Sequence, residues 1–224
     1  MDRTLRRSAA HVLVDDVASL ALADDARHHL RRVLRLRDGE PVTVTDGAGR
    51  WRAGVVADGG ASIEAAGEVQ YVERRTPALT VAAAAPKGDR LDWLVAKCTE
   101  VGIDRLIVLD AEHSVVRWSP ERAGKQLERW GRIMAEASMQ SRRVWLPEIS
   151  GPVPAADVLA TAAVAEPGGR RVAAGDVLIA IGPEGGWSPA ELALAGDTVS
   201  LGPNVLRVET AAFAAAVLMM EAHP

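Results

Sequence analysis

Beyond about residue 75 the chain reads as short apolar runs alternating with amphipathic stretches, whereas the part before it breaks into shorter, turn-bounded pieces. Ala78 to Ala85 is an apolar run of strand length. Lys87-Gly88-Asp89-Arg90 follows as a polar loop, and Leu91 to Val101 places Leu91, Leu94, Val95 and Cys98 on one face of a helix that Gly102 ends. Ile103 to Leu109 is the next strand, and strand, helix, strand in that order predicts a parallel pair with a right-handed crossover. Ser119-Pro120-Glu121 opens a long helix to Ser141, whose Leu127, Trp130, Ile133, Met134 and Ala137 form an apolar stripe that belongs to the core. Gly151 to Gly175 is rich in Ala, Gly and Pro, and predicts one short helix, Pro154 to Ala163, with a loose connection. Val177 to Ala180 predicts a buried strand and Ser188-Pro189-Ala190-Glu191 a capped helix start. Val199-Ser200-Leu201 is a further short strand, and Ala211 to Met220 a buried helix.

The earlier segment has a different grain. Ala26 to Leu36 sets Leu30, Val33 and Leu34 at helical spacing among Arg27, Arg31, Arg32, Arg35 and Arg37. Val42, Val44, Trp51, Val55 and Val56 then fall in alternating or short runs, broken by Asp46-Gly47-Ala48-Gly49 and Asp58-Gly59-Gly60. That pattern predicts a small β unit, a barrel, over residues 1–75, with Thr76-Pro77 as the boundary to an α/β domain over 76–224.

Composition excludes several classes. Hydrophobic residues make up 48% and charged residues 25%, an ordinary globular balance, and no apolar run reaches the length of a membrane span. The basic Met1 to Arg7 leads into a stretch with Asp15 and Asp16 and no clean apolar core, which does not read as a signal peptide. Cys98 has no partner for an internal disulfide, consistent with a reducing cytoplasm, and no metal-ligand spacing is visible. The net charge of -4 speaks against a nucleic-acid partner until its distribution is considered: residues 117–143 carry seven Arg or Lys against three Glu, whereas residues 144–224 carry three Arg against nine acids.

The candidate chemistry sits in Ile181-Gly182-Pro183-Glu184-Gly185-Gly186-Trp187, a glycine-rich loop between a strand and a helix. Glycines let a ligand approach the backbone, and in open α/β sheets ligands bind beyond the carboxyl ends of strands. The loop matches neither common phosphate-binding pattern and its Glu184 repels phosphate, so a neutral or cationic ligand held by backbone groups fits better. A second strand-to-helix loop, Gly202-Pro203-Asn204 to Ala211, points to one pocket built from several loops.

These loops, together with Lys87 to Arg90, Lys97 with Thr99-Glu100, Gln140-Ser141-Arg142-Arg143, Leu206-Arg207 and Glu209-Thr210-Ala211, make the chain resemble the 16S ribosomal RNA uridine N3-methyltransferases, often called RsmE, of the SPOUT superfamily. The chain departs from the family pattern at Met139, Trp187, Asn204 and Val208. The resemblance implies an α/β fold: a SPOUT-type, trefoil-knotted parallel-sheet methyltransferase domain behind an N-terminal PUA-like RNA-binding β-barrel. It implies a cytoplasmic homodimer that holds S-adenosylmethionine and acts on 16S rRNA of the small ribosomal subunit, with no membrane and no metal. Carried onto this sequence, Ile181, Gly182, Pro183, Glu184, Gly185, Leu201, Gly202, Leu206, Thr210 and Ala211 hold the cofactor, and Arg31, Arg32, Arg35, Lys87, Arg142 and Arg143 contact RNA. Arg207 is assigned to stabilise charge on a uracil oxygen and Glu209 to accept or direct the N3 proton. Plain structural roles stand beside these: a solvated face for the early arginines, helix-end pairing for Arg142 and Arg143, an N-cap for Glu209. The alternatives at the level of function are a non-catalytic RNA-binding or ribosome-assembly factor, and a SPOUT methyltransferase that modifies ribose or guanine.

Overall fold

Strands that are apolar on both sides must be covered on both faces, and those that are apolar on alternate residues can leave one face to water. The chain contains both kinds, in separate units. The computed structural model describes residues 2–223. The first unit comprises the chain to Arg75 together with Ala135–Leu146, and the second comprises Thr76–Met134 with the chain from Pro147 onward. Met1 and Pro224, the outer limits of the two expected domains, lie outside the described residues.

In the first unit the elements are α1 (Arg3–Arg7), β1 (Ala10–Leu13), α2 (Asp24–His28), a π-helical turn (His29–Val33), β2 (Pro41–Thr45), β3 (Arg50–Ala57), a short 3₁₀ turn, β4 (Ser62–Ala65) and β5 (Gln70–Tyr71). They form a five-stranded sheet in the order β1-β2-β3-β4, with β5 on β3. The β1–β2 pair is parallel and the others are antiparallel. Val12, Leu30, Val42, Val44, Val56 and Ile63 pack as its core. The helix expected over Ala26 to Leu36 changes pitch part-way. Leu34 N–H donates to the His29 carbonyl, five residues back, at 2.9 Å, and a π turn carries more residues than an α turn. Side chains spaced for an α-helix are thereby rotated off the core face. Only Leu30 is buried, while Val33 is 59% and Leu34 40% exposed.

Residues 135–146 join this unit through non-local hydrogen bonds. Gly49 N–H donates to the Val144 carbonyl and Leu146 N–H to the Gly47 carbonyl, both at 2.9 Å, and Arg142 Nη2 donates to the Ser8 carbonyl at 3.0 Å. At Gly49, with φ +93°, an added Cβ would lie 2.6 Å from the Trp145 ring, so a side chain there would unseat the tryptophan. His11, buried in β1, lies 2.8 Å from Thr43 Oγ1 through Nδ1 and 3.0 Å from the Arg143 carbonyl through Nε2. A carbonyl only accepts, so Nε2 carries the proton and Nδ1 accepts from the threonine hydroxyl. The neutral ring is thus fully used, and burial pulls its pKa down to about 4.

The second unit contains β6 (Thr80–Ala84), α3 (Arg90–Val101), β7 (Arg105–Asp110), the first part of α4 (Pro120–Ser141), β8 (Glu148–Pro154), α5 (Ala156–Leu159), β9 (Ala163–Arg171), β10 (Leu178–Ile181), α6 (Pro189–Leu194), β11 (Asp197–Ser200) and α7 (Val208–Ala222). Its six strands are all parallel, in the order β11-β9-β10-β6-β7-β8. Alternate residues serve the two faces. Val81, Ala83, Ile179 and Ile181 pack with Leu94, Trp130, Ala212 and Met219 on the side of α3 and α7. Ala82 and Ala180 pack with Val158, Leu159 and Trp187 on the other. Gly102, at φ +116°, ends α3 as expected. Among the described residues no helix is long and apolar enough to cross a membrane.

Residues 148–171 depart from expectation. The predicted helix from Pro154 to Ala163 shrinks to the single turn of α5, and the loose connection becomes β8 and β9. Parallel pairing with β7 and β11 overrides the weak local preference of a stretch rich in Gly and Pro. The β9 ladder also carries an excursion: Val164 faces Thr198 and the next pair along is Arg170 with Val199, so residues 165–169 leave the register. At the foot of this excursion an added Cβ on Gly169 would lie 2.7 Å from the Val199 backbone.

The depressed pKa of His11 makes the first unit acid-sensitive. In the unfolded chain the imidazole titrates near its ordinary value of 6.5 and in the fold near 4, so between those values only the unfolded state takes up the proton. Stability contributed by the neutral ring is complete above pH 6.5 and is lost as pH falls toward 4. From pH 7 to pH 4.5 this amounts to about 2–3 kcal/mol. Urea unfolding of the wild type should therefore lose more stability over that interval than unfolding of His11→Gln, by about that amount; parallel pH profiles would refute the assignment.

Candidate functional site

At the carboxyl end of β10 the chain turns on Gly182, where an added Cβ would stand 2.9 Å from Trp187 Cε2 and 3.0 Å from its Nε1. Only a residue without a side chain lets the indole fold back under the loop. Gly186 N–H donates to the Pro183 carbonyl at 2.9 Å, and Gly186 itself takes φ +73°. The helix start read from Ser188 and Glu191 is present as a full capping box: Glu191 N–H donates to Ser188 Oγ at 3.2 Å, and Ser188 N–H to Glu191 Oε2 at 2.9 Å. Glu191 Oε1 also accepts from Glu112 N–H at 2.9 Å. One buried carboxylate thereby fastens the glycine loop to the segment after β7.

The loop after β11 lies beside it. Gly202 adopts φ +147° with no atom within 4 Å of where a Cβ would stand, and α7 begins with Arg207 as its N-cap. The two loops line one cavity of about 310 Å³, near the lower end of the range for small-molecule sites. Ile181, Gly182, Pro183 and Glu184 line it from the first loop, and Leu201, Gly202, Leu206 and Ala211 from the second loop and α7.

Other residues singled out from sequence sit elsewhere. Gly185 and Thr210 are exposed and outside the lining; Gly185 lies against His113, whose Nδ1 is 3.1 Å from the Gly186 carbonyl. Arg207 is exposed at the rim. Glu209 does not cap α7; its Oε1 is 3.7 Å from Arg90 Nε and its Oε2 is buried with no hydrogen-bond partner among the described residues. Arg90 Nη1 also stands 3.9 Å from Glu184 Oε1, so one guanidinium lies between a carboxylate from each loop. Lys87 is exposed after β6, and Arg31, Arg32 and Arg35 are exposed in the first unit. Arg142 donates to the Met139 and Ser8 carbonyls and Arg143 Nε to the Trp145 carbonyl, so both side chains have structural work.

A third wall escaped the sequence reading. Ala165, Glu166 and Pro167, in the β9 excursion, line the same cavity as the two loops. The Pro-Gly-Gly that follows Glu166 signals a break in a strand but not where the break points. Glu166 and Glu184 are the only ionisable side chains among the lining residues. Burial raises the Glu166 carboxyl above its ordinary pKa. A largely apolar lining that carries two carboxylates and no basic group suits a neutral or cationic ligand, and disfavours a phosphate. Among the described residues no cluster of His, Cys, Asp or Glu is placed to hold a metal.

The chain is similar to known proteins over most of its length. Residues 73–220 match the model of an RNA methyltransferase domain and residues 22–65 that of an RNA methyltransferase PUA domain. The chain is 34% identical to the ribosomal RNA small subunit methyltransferase E of Mycobacterium tuberculosis, over 88% of this chain and 84% of that one. It is 34% identical to the protein of the same description from Synechocystis, over 87% and 70%. The crystal structure of a ribosomal RNA small subunit methyltransferase E from Neisseria gonorrhoeae bound to S-adenosylmethionine is similar with a TM-score of 0.77 and 25% identity, covering 95% and 97% of the two chains.

Glu191 carries a prediction of its own. Glu191→Ala removes the acceptor of two backbone N–H groups, and should lower stability by about 2–4 kcal/mol in denaturant titration. Glu191→Gln keeps one acceptor oxygen and should lose clearly less; equal losses would show that the side chain matters only as bulk.

Proposed function

This chain belongs to the ribosomal RNA small subunit methyltransferase E family, and from that premise we infer that it methylates N3 of a uridine in 16S rRNA. It uses S-adenosylmethionine, and its fold is of the SPOUT class with an N-terminal PUA domain. The observation that carries the reading is the cavity shared by the two glycine loops, lined by glycines and apolar side chains with two carboxylates and no basic side chain. In this reading the backbone of Leu201, Gly202 and Leu206 receives the uncharged adenine edge, and the loop from Ile181 to Glu184 receives the remainder of the cofactor.

The bound cofactor supplies an electrophilic methyl group on a sulfonium. The chain has to supply what uracil needs. N3 carries a proton, and removing it leaves negative charge on the two ring oxygens. Arg207, exposed beside the cavity and with no side-chain hydrogen bond or ion pair among the described residues, is proposed to hold that charge. Glu209 is proposed to take the proton from N3, with Arg90 holding its other oxygen in place. Both are charged side chains flanking Val208, a residue of the cavity lining.

Arg31, Arg32, Arg35 and Lys87 are proposed as RNA contacts. Arg31, Arg32 and Arg35 surround the exposed Val33 and Leu34 on the π-helical turn, a surface of fixed charge with apolar atoms between. Arg142 and Arg143 are proposed to contact RNA in addition to the backbone carbonyls they already bond. A homodimer and a cytoplasmic location complete the reading. Trp93, 43% exposed on α3, meets Phe213 of α7 edge to face at 5.7 Å beside Val217, 41% exposed, and a second copy would cover this apolar face.

The direct experiment is methyl transfer to small subunits from cells lacking the gene, followed by nucleoside analysis: 3-methyluridine is expected, and label in ribose or guanine would overturn the N3 assignment. Arg207→Ala should lower kcat by about 10²–10³-fold with S-adenosylmethionine affinity nearly unchanged. Arg31→Ala with Arg32→Ala should instead raise KM for the RNA, and equal losses in all three quantities would remove these role assignments. Light scattering should report twice the 23.7 kDa of one chain, and a monomer at micromolar concentration would dismiss the dimer.

A further inference from the structure

One charged group in the cavity has no role so far. Residues 165–169 leave the β9 ladder between Val164 and Arg170, and Gly169 packs its backbone against Val199. The excursion places Glu166 in the lining of the same cavity as the two glycine loops. The other lining carboxylate, Glu184, stands 3.9 Å from Arg90. The Glu166 side chain has no hydrogen bond or ion pair among the described residues, and no basic side chain lines the cavity beside it. A partly desolvated carboxylate without a counter-charge is unfavourable unless the ligand brings one.

We propose that Glu166 is the counter-charge to the positive charge of the bound cofactor, and so determines that the pocket prefers a cationic adenosine derivative to a neutral one of the same shape. The assignment rests on the function proposed above. The rise in its pKa with burial accords with this, since a cation drawn against the carboxylate restores the stabilisation that water no longer gives. Two cationic centres exist on S-adenosylmethionine, the ammonium and the sulfonium, and the product S-adenosylhomocysteine keeps only the first. If Glu166 answers the sulfonium, methyl transfer removes the charge it was paired with, and the product is released more easily than the substrate.

Calorimetric titration of the whole protein separates these cases without any turnover. The ligands are S-adenosylmethionine, S-adenosylhomocysteine and 5′-methylthioadenosine, a neutral thioether that lacks the amino-acid arm. Glu166→Gln keeps the shape of the side chain. It should weaken S-adenosylmethionine about tenfold and leave 5′-methylthioadenosine within about twofold of the wild type. If S-adenosylhomocysteine weakens as much as S-adenosylmethionine, the ammonium is the partner; if it is unmoved, the sulfonium is. Unchanged affinity for S-adenosylmethionine, or an equal loss for 5′-methylthioadenosine, would overturn the proposal while leaving the function intact. A wild-type protein that bound none of the three would instead bring down the function on which it rests.

Discussion

The cavity exists because β9, β10 and β11 are neighbours in a ladder that runs all one way. Parallel strands release their following loops at the same edge of the sheet, so residues far apart in sequence come out side by side without any direct attraction between them. The loop from Ile181 to Trp187 and the loop from Leu201 to Ala211 meet for that reason. Buried alternation on both faces, with Ile179 and Ile181 on one side and Ala180 on the other, holds the ladder in register. A slip of one residue in β10 would exchange those faces and turn Gly182 away from Trp187.

Around that edge the charges are distributed unevenly. Arg90 lies between Glu184 of the lining and Glu209 just outside it, one carboxylate from each loop, and offsets the charge of both. Glu191 spends both oxygens on backbone N–H groups and contributes rigidity. Among the described residues, Glu166 is the lining carboxylate whose side chain has no partner. Fixed carboxylates that are already satisfied tie loops in place, whereas an unsatisfied one is available to a ligand.

The first unit is assembled from two pieces of chain. Its sheet is local, built from successive strands, but residues 135–146 return to it and are held by Gly47, Gly49, Ser8 and His11. This explains why Arg142 and Arg143, which sit at the end of a basic helix, have backbone carbonyls for partners. A helix-end arginine that satisfies terminal carbonyls does what helix ends require.

The sequence alone determined the parts of the protein governed by local chemistry. Periodicity is enough to place α3, the long α4, α7 and the strands β6, β7 and β10, because each buries a face set by its own spacing. Ser188 with Glu191 declared a capping box, since that bond pair depends on residues three apart. Tertiary structure decided the rest. The strands β8 and β9, in a stretch rich in Gly and Pro, exist only through their partners. The turn after His28 left the α pitch and put Val33 and Leu34 in water. Glu209 found Arg90 rather than a cap, and Glu166 reached the cavity through an excursion whose direction no local pattern encodes. In each of these cases the deciding partner lies far away in the chain, and a preference read over a few residues contains no information about it.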